Sequence, residues 1–490
     1  MKKLFRLFLF LMLLVLISIL GTLFFNTLNY SSRQFSYAPI AQTTIPDQVI
    51  QRLSAAVRLP TVSTNTSIDT TAMLDLLSFM DSQYVFVDSL LEKYEVNTFS
   101  RVYHWPGKNQ KLQPILLIGH MDVVPVEQES WSAWTWPPYS GTIKDGYIWG
   151  RGTLDDKVSV LGLLEAVELL LRQNYRPERS IYLAFGHDEE VGGLQGAKAI
   201  ARRFQQQGLQ FEYVLDEGAV IMEDALPGLQ SPLALIGNSE KGYATLTLTA
   251  RLPEGGHSSM PPSETAIGVL SKALLKLEAK PFPANIQGSA KTLFEHAGPE
   301  TDMPYRMIFA NLWLFEGILA QQLSQQPASN ALLRTTIAPT ILSAGVKENV
   351  LPTEASAKIN FRILPGETAE TVAQYLQTTI ADDRVDIHNE SPERTQAPSN
   401  LSSTTSFGYN VIQRTIREVF PEAVVSPFLV IATTDSRHYS EVANQTYRFL
   451  PLQFSNADLK RIHGIDERIG TEAYKEVVRF YHQLLRNSTQ

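Results

Sequence analysis

The chain has 490 residues, of which 44% are hydrophobic and 19% are charged, so it is long enough for two or three domains with large cores. Its net charge of −8 argues against nucleic acid as a partner. Cysteine is absent. Disulfides and thiolate metal sites are therefore excluded, and any metal ion must be held by nitrogen and oxygen ligands.

The N-terminus predicts a membrane anchor. Three basic residues among the first six precede an uncharged apolar run from Leu7 to Phe25, which is long enough to cross a bilayer as a helix. The basic flank should stay in the cytoplasm, so the rest of the chain would be extracytoplasmic, in a periplasmic or an extracellular or lumenal space. A cleaved signal peptide is the alternative, although no small-x-small cleavage site follows the run. We expect an anchor over 1–30 and a tether over 31–44.

Residues 45–240 alternate between apolar strands and helices, and this pattern predicts the first part of a catalytic domain. Such alternation gives an α/β sheet covered by helices, with functional sites at the carboxyl ends of the strands. Polar residues follow each predicted strand. The predicted strands are 114–120, 147–149, 180–185 and 211–215, and the main predicted helices are 157–172 and about 192–206.

Residues 241–394 have a different pattern, in which the predicted elements follow the order β-α-β-β-α-β. That order is the ferredoxin-like arrangement. An insertion over 281–330, rich in Pro, Gln and Ala, resembles an extension of this unit. Helical and apolar segments resume over 395–490. The predicted fold is therefore an α/β protein, with a helix-covered mixed-sheet catalytic domain interrupted by an inserted ferredoxin-like lid and dimerisation domain.

Imidazole and carboxylate side chains recur at the ends of the apolar runs. Two divalent metal ions that share one bridging carboxylate need about five such ligands and a nearby base. Each stretch alone is also compatible with a surface loop or a helix cap, but their joint order favours a two-metal site that hydrolyses an amide. The stretches are His120-Met121-Asp122, Asp155-Asp156-Lys157, Asp188-Glu189-Glu190, Asp216-Glu217-Gly218 and His463.

The spacing within these stretches suggests individual roles. His120 and Asp122 alternate at a strand end and point to opposite sides of the backbone, so we assign His120 as a ligand and Asp122 as a supporting carboxylate. Two adjacent acids favour a shared cation, and we assign Asp155 as the bridging ligand. In the pair Glu189 and Glu190, one acid would bind metal while the other faces the substrate as a base.

Longer motifs surround these residues. They are Gly119–Pro125 (GHMDVVP), Gly150–Lys157 (GRGTLDDK), Phe185–Gly193 (FGHDEEVGG), Ser239–Gly242 (SEKG), Gly256–Ser258 (GHS), Asn349–Pro352 (NVLP), Thr434–His438 (TDSRH) and Arg461–Gly464 (RIHG). Together they resemble the aminoacylase/carboxypeptidase S/glutamate carboxypeptidase family of zinc metallopeptidases. The GHDEE and TDSRH forms are most similar to its carboxypeptidase S and N-fatty-acyl-amino-acid synthase/hydrolase branch. The resemblance covers about residues 45–485.

The resemblance implies two zinc ions per subunit. One ion would be held by His120, Asp155 and Asp216. The other would be held by Asp155, Glu190 and His463. Cobalt or manganese could substitute on the same nitrogen and oxygen ligands.

The resemblance also implies the remaining roles in the site. Glu189 matches the family's general base. His257 matches a lid histidine that polarises the scissile carbonyl, supplied by the partner subunit in dimeric members, so a homodimer through the lid domain is expected. Arg362 and Arg437 match positions that hold a substrate carboxylate, and Asn349 would assist.

We therefore expect a membrane-anchored dizinc metallohydrolase that cleaves the amide bond to a C-terminal amino acid with a free carboxylate, as a carboxypeptidase does in a small peptide. An N-acyl amino acid, including an N-fatty-acyl one, is the alternative substrate. The Leu- and Phe-rich segment 307–320 slightly favours a nearby lipid, although such a segment is usually core. A binding protein or a structural metal protein is a third reading, but neither needs the spare acid Glu189.

Overall fold

The computed structural model describes residues 1–38, 40 and 43–489. Residues 39, 41 and 42 of the predicted tether and residue 490 of the last predicted segment therefore lie outside the described residues. The helices, in chain order, are α1 (Lys2–Asn29), α2 (Gln48–Val57), α3 (Thr70–Gln83), α4 (Val85–Leu90), α5 (Lys157–Arg172), α6 (Ala197–Gln206), α7 (Ala266–Ala279), α8 (Gly288–Ala297), α9 (Tyr305–Ala310), α10 (Leu312–Leu323), α11 (Pro327–Leu333), α12 (Ala369–Ile380), α13 (Phe407–Val419), α14 (Asn456–Leu459) and α15 (Thr471–Ser488).

Short 3-10 helices cover Gln128–Ala133, Glu189–Val191, Gly298–Glu300, Pro392–Arg394 and Asp435–Tyr439. The strands, in chain order, are β1 (Glu92–Val96), β2 (Ser100–Trp105), β3 (Ile115–His120), β4 (Thr142–Lys144), β5 (Tyr147–Trp149), β6 (Ile181–Gly186), β7 (Val214–Asp216), β8 (Ile221–Met222), β9 (Leu233–Glu240), β10 (Gly242–Arg251), β11 (Gly256–His257), β12 (Thr336–Ala344), β13 (Val350–Leu351), β14 (Glu354–Ile363), β15 (Val385–His388), β16 (Val424–Val430), β17 (Thr446–Arg448), β18 (Gln453–Phe454) and β19 (Arg468–Gly470).

The larger sheet is mixed and carries the ends of the predicted ligand-bearing strands. Its spatial order is β1-β2-β6-β3-β7-β17-β9-β8-β18, with β16 beside β9. Strands β6, β3 and β7 run parallel, and every residue of β3 and β6 is buried. Continuous apolar runs of this kind are typical of parallel strands covered on both faces. The carboxyl ends of these three strands therefore meet at one edge.

Helix α5 covers this sheet and packs against the C-terminal helix α15. Its sequence is apolar on most sides and contains no proline, and fourteen of its residues are buried. A Cβ atom added at Gly162 would lie 3.0 Å from Val477 Cγ1 on α15. The missing side chain thus allows the two helices to approach closely.

The second sheet has the spatial order β12-β14-β10-β15, and all its pairings are antiparallel. Along the chain its elements come in the order β10, α7, β12, β14, α12 and β15. Strand β14 alternates between buried and less buried residues, as a strand with one covered face does. Helices α7 and α12 cover that face and share a separate hydrophobic core with the sheet.

The inserted helices α8 to α11 belong to the main hydrophobic core and not to the core of the second sheet. Helix α9 packs on α8, α10 packs on α9 and α11, and α8 lies against β16 with Leu293 and Phe294 buried. The expectation that 281–330 extends the second unit is therefore wrong. The physical reason is that these apolar side chains are buried by the face of β9 and β16, two strands that the sequence analysis did not predict.

Helix α1 is long and apolar enough to cross a membrane, and its side chains are largely exposed. An N-terminal apolar helix is thus present where the sequence predicts it. Both an anchor and a signal sequence meet this description. Near its C-terminal end the helix contacts α9.

Candidate metal centre

Strand ends bring three of the predicted ligands to one edge of the larger sheet. His120 is the last residue of β3 and pairs in register with Gly186 at the end of β6. The 3-10 turn that carries Glu190 follows β6, and Asp216 ends β7. Because the three strands are parallel neighbours, their polar residues converge although they are distant in sequence.

Asp155 lies between two histidines and offers one carboxylate oxygen to each. His120 Nε2 is 2.9 Å from Asp155 Oδ1, and His463 Nε2 is 3.0 Å from Asp155 Oδ2. His463 Nε2 is also 3.3 Å from Glu190 Oε2. Candidate ligand atoms of His120, Asp155 and Glu190 lie within 4.8 Å of one another. These side chains therefore form a group that could hold a metal ion.

Asp122 is fully buried and orients the loops rather than entering the cluster. Its carboxylate oxygens accept hydrogen bonds from the backbone N–H groups of Glu189, at 3.1 Å, and Glu190, at 3.2 Å. His120 Nδ1 is 3.0 Å from the backbone oxygen of Asp122 and 3.4 Å from its Oδ1. A partner on the second ring nitrogen fixes the orientation of a ligating histidine.

Asp216 is buried close by but stands outside the group formed by His120, Asp155 and Glu190. Its two oxygens accept hydrogen bonds from the backbone N–H groups of Glu217, at 2.9 Å, and Ser436, at 2.8 Å. Burial raises the pKa of the Asp216 carboxyl above its usual value.

Glu217 is an acid of this site to which the sequence analysis gave no role. Burial, and then the negative charges of Asp155 and Asp216, raise the pKa of the Glu217 carboxyl well above its usual value. The signal that could have found it is its position as the second of two adjacent acids after a strand. The same pattern occurs at 155–156 and 189–190.

The carboxylates around His120 and His463 raise the pKa of both imidazoles. Burial alone would lower the pKa of His120, but the hydrogen bonds with Asp122 and Asp155 raise it well above its usual value. Hydrogen bonds to Asp155 and Glu190 raise the pKa of His463 to about 10. Burial would raise the pKa of Asp155, but both histidines hold it below its usual range. The cluster is therefore organised by strong local electrostatic interactions.

The donor set fits divalent cations. Glu190 Oε1 is a buried atom with no hydrogen-bond partner among the described residues. Burial raises the pKa of Glu189 and Glu190, and nearby negative charges raise both further. Buried charges of this kind need a counter-charge. Nitrogen and carboxylate oxygen donors suit zinc, cobalt or manganese. The acids gathered here are Asp122, Asp155, Asp156, Glu189, Glu190, Asp216 and Glu217, against the imidazoles of His120 and His463.

A buried ion pair joins the loop of Asp155 to the loop of His463. Arg151 Nη1 contacts Glu467 Oε2, and the other oxygen of Glu467 accepts hydrogen bonds from the backbone N–H groups of Gly152, at 2.9 Å, and Leu154, at 2.8 Å. Arg151 Nη2 donates to the backbone oxygen of His463 at 3.0 Å. We call this arrangement the Arg151–Glu467 clamp. It fixes both loops although its two residues are 316 positions apart.

A second buried pair holds the turn at Thr434–His438. Arg448 Nη2 donates to Glu240 Oε2 at 2.7 Å, and Arg448 Nε donates to Ser436 Oγ at 2.8 Å. The other oxygen of Glu240 accepts from the backbone N–H of Thr434 at 2.8 Å. This turn supplies the backbone N–H that binds Asp216.

Two arginines lie near Glu189, Arg437 on the 3-10 helix Asp435–Tyr439 and Arg362 on β14 of the second sheet. Arg437 Nη2 donates to the backbone oxygen of Gly192 at 3.0 Å, whereas Arg437 Nε and Nη1 are buried without a partner among the described residues. Arg362 on β14 lies over the ring of Tyr243, with its Cζ 5.0 Å from the ring centroid. Burial lowers the pKa of Arg362, and the charges of Arg437 and Glu189 also act on it. The two guanidinium groups therefore stand near the proposed base.

His257 and Asn349 are together, but on the second unit and outside the hydrogen-bond network of the cluster. His257 pairs with Val350 in the small β11–β13 sheet and is exposed, and its Nδ1 is 2.8 Å from Ser259 Oγ. Asn349 accepts a hydrogen bond from the backbone N–H of Ser258 through its own backbone oxygen. The structure thus joins these two predicted residues to each other and not to the metal ligands.

A mixed α/β fold with a His, Asp and Glu cluster that could hold a metal ion agrees with a metal-dependent hydrolase. The model of "Peptidase family M20/M25/M40" matches residues 116–487, and the chain belongs to this family. The family resemblance of the sequence motifs is thereby confirmed, and the protein is an enzyme of the metallopeptidase class.

Two relatives and one solved structure illustrate the similarity. The chain is 43% identical over 487 residues to a probable carboxypeptidase S-like 2 of Dictyostelium discoideum, covering 97% of this chain and 93% of the relative. It is 42% identical over 448 residues to an N-fatty-acyl-amino acid synthase/hydrolase of Xenopus tropicalis, covering 90% and 86%. The crystal structure of an M20 family metallo-carboxypeptidase from Sulfolobus solfataricus superposes with a TM-score of 0.65 at 17% identity, covering 91% of this chain and 100% of that chain.

Removing the carboxylate of the Arg151–Glu467 clamp should loosen the centre and destabilise the fold. We expect Glu467→Ala to lower the free energy of unfolding by about 3–5 kcal/mol, because it leaves Arg151 buried and unpaired. Urea unfolding measures the loss of stability. Isothermal titration of zinc measures the loosening of the centre as weaker zinc binding. Glu354→Ala, which breaks the exposed pair with Arg251, is the control and should cost about 1 kcal/mol or less. Equal losses in the two variants would contradict a structural role for the clamp.

Proposed function

We propose that the protein is a dizinc amidohydrolase that cleaves the amide bond to a C-terminal amino acid carrying a free carboxylate. The observation that carries this proposal is the unpartnered, buried edge of Arg437 beside Glu189 and the metal-ligating cluster. A guanidinium binds both oxygens of a carboxylate through parallel hydrogen bonds. A substrate carboxylate held there would place its neighbouring amide bond near the metal centre.

The proposed metal ligands are those that the resemblance implies. His120, Asp155 and Asp216 would hold one ion, and Asp155, Glu190 and His463 the other. The position of Asp155 between the two histidines supports this division. When bound, the ions would supply Lewis acidity that lowers the pKa of a water molecule and polarises the scissile carbonyl.

Glu189 is the proposed general base. Its backbone is fixed by Asp122, and its side chain is left free of a hydrogen-bond role in the described network. In the reaction Glu189 takes a proton from the attacking water and then delivers it to the leaving amine. Asp122 contributes by keeping the ring of His120 and the backbone of Glu189 in place.

Two types of substrate, which differ in the acyl group, fit the proposal. A short peptide is the first, and it agrees with the 43% identity to the carboxypeptidase S-like relative. An N-fatty-acyl amino acid is the second, and it agrees with the 42% identity to the N-fatty-acyl-amino acid synthase/hydrolase. Both substrates present the same carboxylate and the same amide bond. The choice between them therefore lies in what binds on the acyl side.

We further propose that 241–394, without the inserted helices α8 to α11, is a ferredoxin-like lid between two catalytic segments, 45–240 and 395–490. The order β15-β10-β14-β12 and the two helices on one face support this assignment. As a lid it would bring His257 and Asn349 to the substrate, either by closing or from a second copy. The exposed strand β12, with Ile341 and Leu342 facing solvent, supports a homodimer through this unit.

Helix α1 is proposed to be an uncleaved anchor that places the enzyme on the extracytoplasmic side of a membrane. Its length of 28 residues exceeds the roughly 20 residues that span a hydrocarbon core. The basic residues at its start favour the cytoplasmic side for that end. The catalytic segments would then face the opposite compartment.

Glu189→Gln should bind zinc normally and lose turnover. Replacing the carboxylate by an amide of equal size removes the proton acceptor, and we expect kcat to fall by a factor of about 10²–10⁴. Steady-state kinetics and zinc content by elemental analysis check this prediction. Glu223→Gln, at an exposed acid, is the control and should leave kcat unchanged. Retained turnover in Glu189→Gln would remove Glu189 from the mechanism.

Arg437→Ala should specifically impair recognition of the substrate carboxylate. A hydrogen bond to a charged group contributes about 1.5–3 kcal/mol, which corresponds to roughly a 10- to 150-fold loss in kcat/KM. The variant should lose its preference for free-acid over amidated substrates, and Arg362→Ala should show the same change. Arg202→Ala, at an exposed residue, is the control. A uniform loss on both substrate forms would argue against carboxylate binding at Arg437.

The proposed function is tested with four substrates on the zinc-loaded full-length chain. They are a long-chain N-acyl phenylalanine and an N-blocked dipeptide of similar hydrophobicity, each with a free and an amidated C-terminus. We expect release of the amino acid from the free-acid forms alone, and the faster acyl type identifies the substrate class. Cleavage of the amidated forms at equal rates, or no cleavage of any form, would contradict the proposal.

A further inference from the structure

Helix α10 carries an exposed apolar face. Trp313, Leu314 and Ile318 are 55%, 41% and 69% exposed. Together with Gly317 they occupy positions i, i+1, i+4 and i+5, which form one stripe along a helix. Of the two interpretations of 307–320, core does not hold for this exposed stripe, while Phe309 on α9 is buried. We call Trp313, Leu314, Gly317 and Ile318 the α10 face.

Asn311 fastens the start of α10 to the end of α1. It is fully buried, and its Nδ2 lies 3.2 Å from the backbone oxygen of Leu23 and 3.3 Å from Thr27 Oγ1. Its Oδ1 accepts hydrogen bonds from Asn26 Nδ2, at 3.0 Å, and from Trp313 Nε1, at 3.0 Å. A single asparagine therefore links the apolar N-terminal helix to the first exposed residue of the α10 face.

The segment after α1 is also held against the inserted helices. Tyr30 OH donates to the backbone oxygen of Phe294 at 2.5 Å, and Arg306 Nη2 donates to the backbone oxygen of Tyr30 at 2.9 Å. Gln34 both donates to the backbone oxygen of Val425, at 2.9 Å, and accepts from its N–H, at 2.8 Å. These contacts hold Tyr30 and Gln34, which follow α1, against α8, α9 and β16.

The contact lies where α1 would leave a membrane. The apolar run of α1 ends at Phe25, and Asn311 contacts Leu23, Asn26 and Thr27. An apolar run of about 20 residues spans the hydrocarbon core, so residues 23–27 fall at its boundary with the headgroups. Tryptophan is enriched at this boundary because its ring is apolar and its N–H is polar. The α10 face therefore begins at the depth of the membrane surface.

We propose that the α10 face lies in the outer layer of the bilayer that α1 crosses, and that it docks the catalytic segments on the lipid surface. This proposal rests on the proposed role of α1 as an uncleaved anchor. Glu316 is a charged residue of α10 that lies beside the α10 face. Its carboxylate is engaged by the protein, because it accepts a hydrogen bond from the backbone N–H of Ile286 at 3.3 Å. Shallow insertion of an apolar helix face is the usual mode of interfacial binding.

The absence of cysteine in the chain allows a direct test. Three single-cysteine variants of the full-length protein, Ile318→Cys, Leu275→Cys and Leu16→Cys, are labelled with a fluorophore and reconstituted into phosphatidylcholine vesicles with or without nitroxide-labelled lipid. Leu275 on α7 is 64% exposed and serves as the matched control. Leu16 in α1 reports whether the anchor itself is in the bilayer.

We expect nitroxide lipids to quench the labels at positions 16 and 318 at least three-fold more than the label at position 275. Quenching at position 16 alone, or equal quenching at positions 318 and 275, would overturn the α10 proposal and leave the anchor in place. Protection of position 318 from aqueous iodide without nitroxide quenching would mean that protein, such as a second copy, covers the face, and would also overturn it. No quenching at position 16 would overturn both proposals. Amidase activity of the same samples reports the proposed reaction separately.

Discussion

The buried Arg151–Glu467 clamp is the constraint on which the geometry of the metal centre depends. Glu467 accepts hydrogen bonds from the backbone of the loop that carries Asp155, and Arg151 donates to the backbone of the loop that carries His463. Asp155 and His463 therefore face each other. Burying such a pair is expensive, and its net contribution to stability is small compared with the cost of losing one partner. Its value here is positional, because it joins a loop near residue 150 to a loop near residue 463.

Other buried carboxylates around the centre also hold backbone N–H groups. Asp122 fixes the backbone of the turn that carries Glu189 and Glu190, and Glu240 with Arg448 fixes the turn that binds Asp216. In each case a buried carboxylate that is not itself a proposed base holds backbone N–H groups. Residues that hold the ligands in this way are needed because a reactive geometry tolerates errors of only about half an ångström. The proposed catalytic groups are thus positioned by buried polar contacts rather than by loop packing alone.

Sequence reasoning could locate the ligands because they follow apolar strands, and parallel strands must bring their ends together. It could not find the clamp, since nothing local in the sequence links Arg151 to Glu467. It also did not predict β9 or β16, because β9 lacks alternation and β16 contains a proline. Helix α15 was missed as well, although the apolar residues of 471–488 recur at helical spacing and could have predicted it. For the segment of α10 the composition left lipid proximity and core as alternatives, and only the fold shows that its apolar stripe is exposed near the end of α1.

The central claim is that Asp155 bridges two metal ions. Crystals of the zinc-loaded protein, measured on both sides of the zinc absorption edge, test it most directly through the anomalous difference map. We predict two zinc peaks, one beside Asp155, His120 and Asp216, the other beside Asp155, His463 and Glu190. A single peak, or peaks that do not contact Asp155, would contradict it.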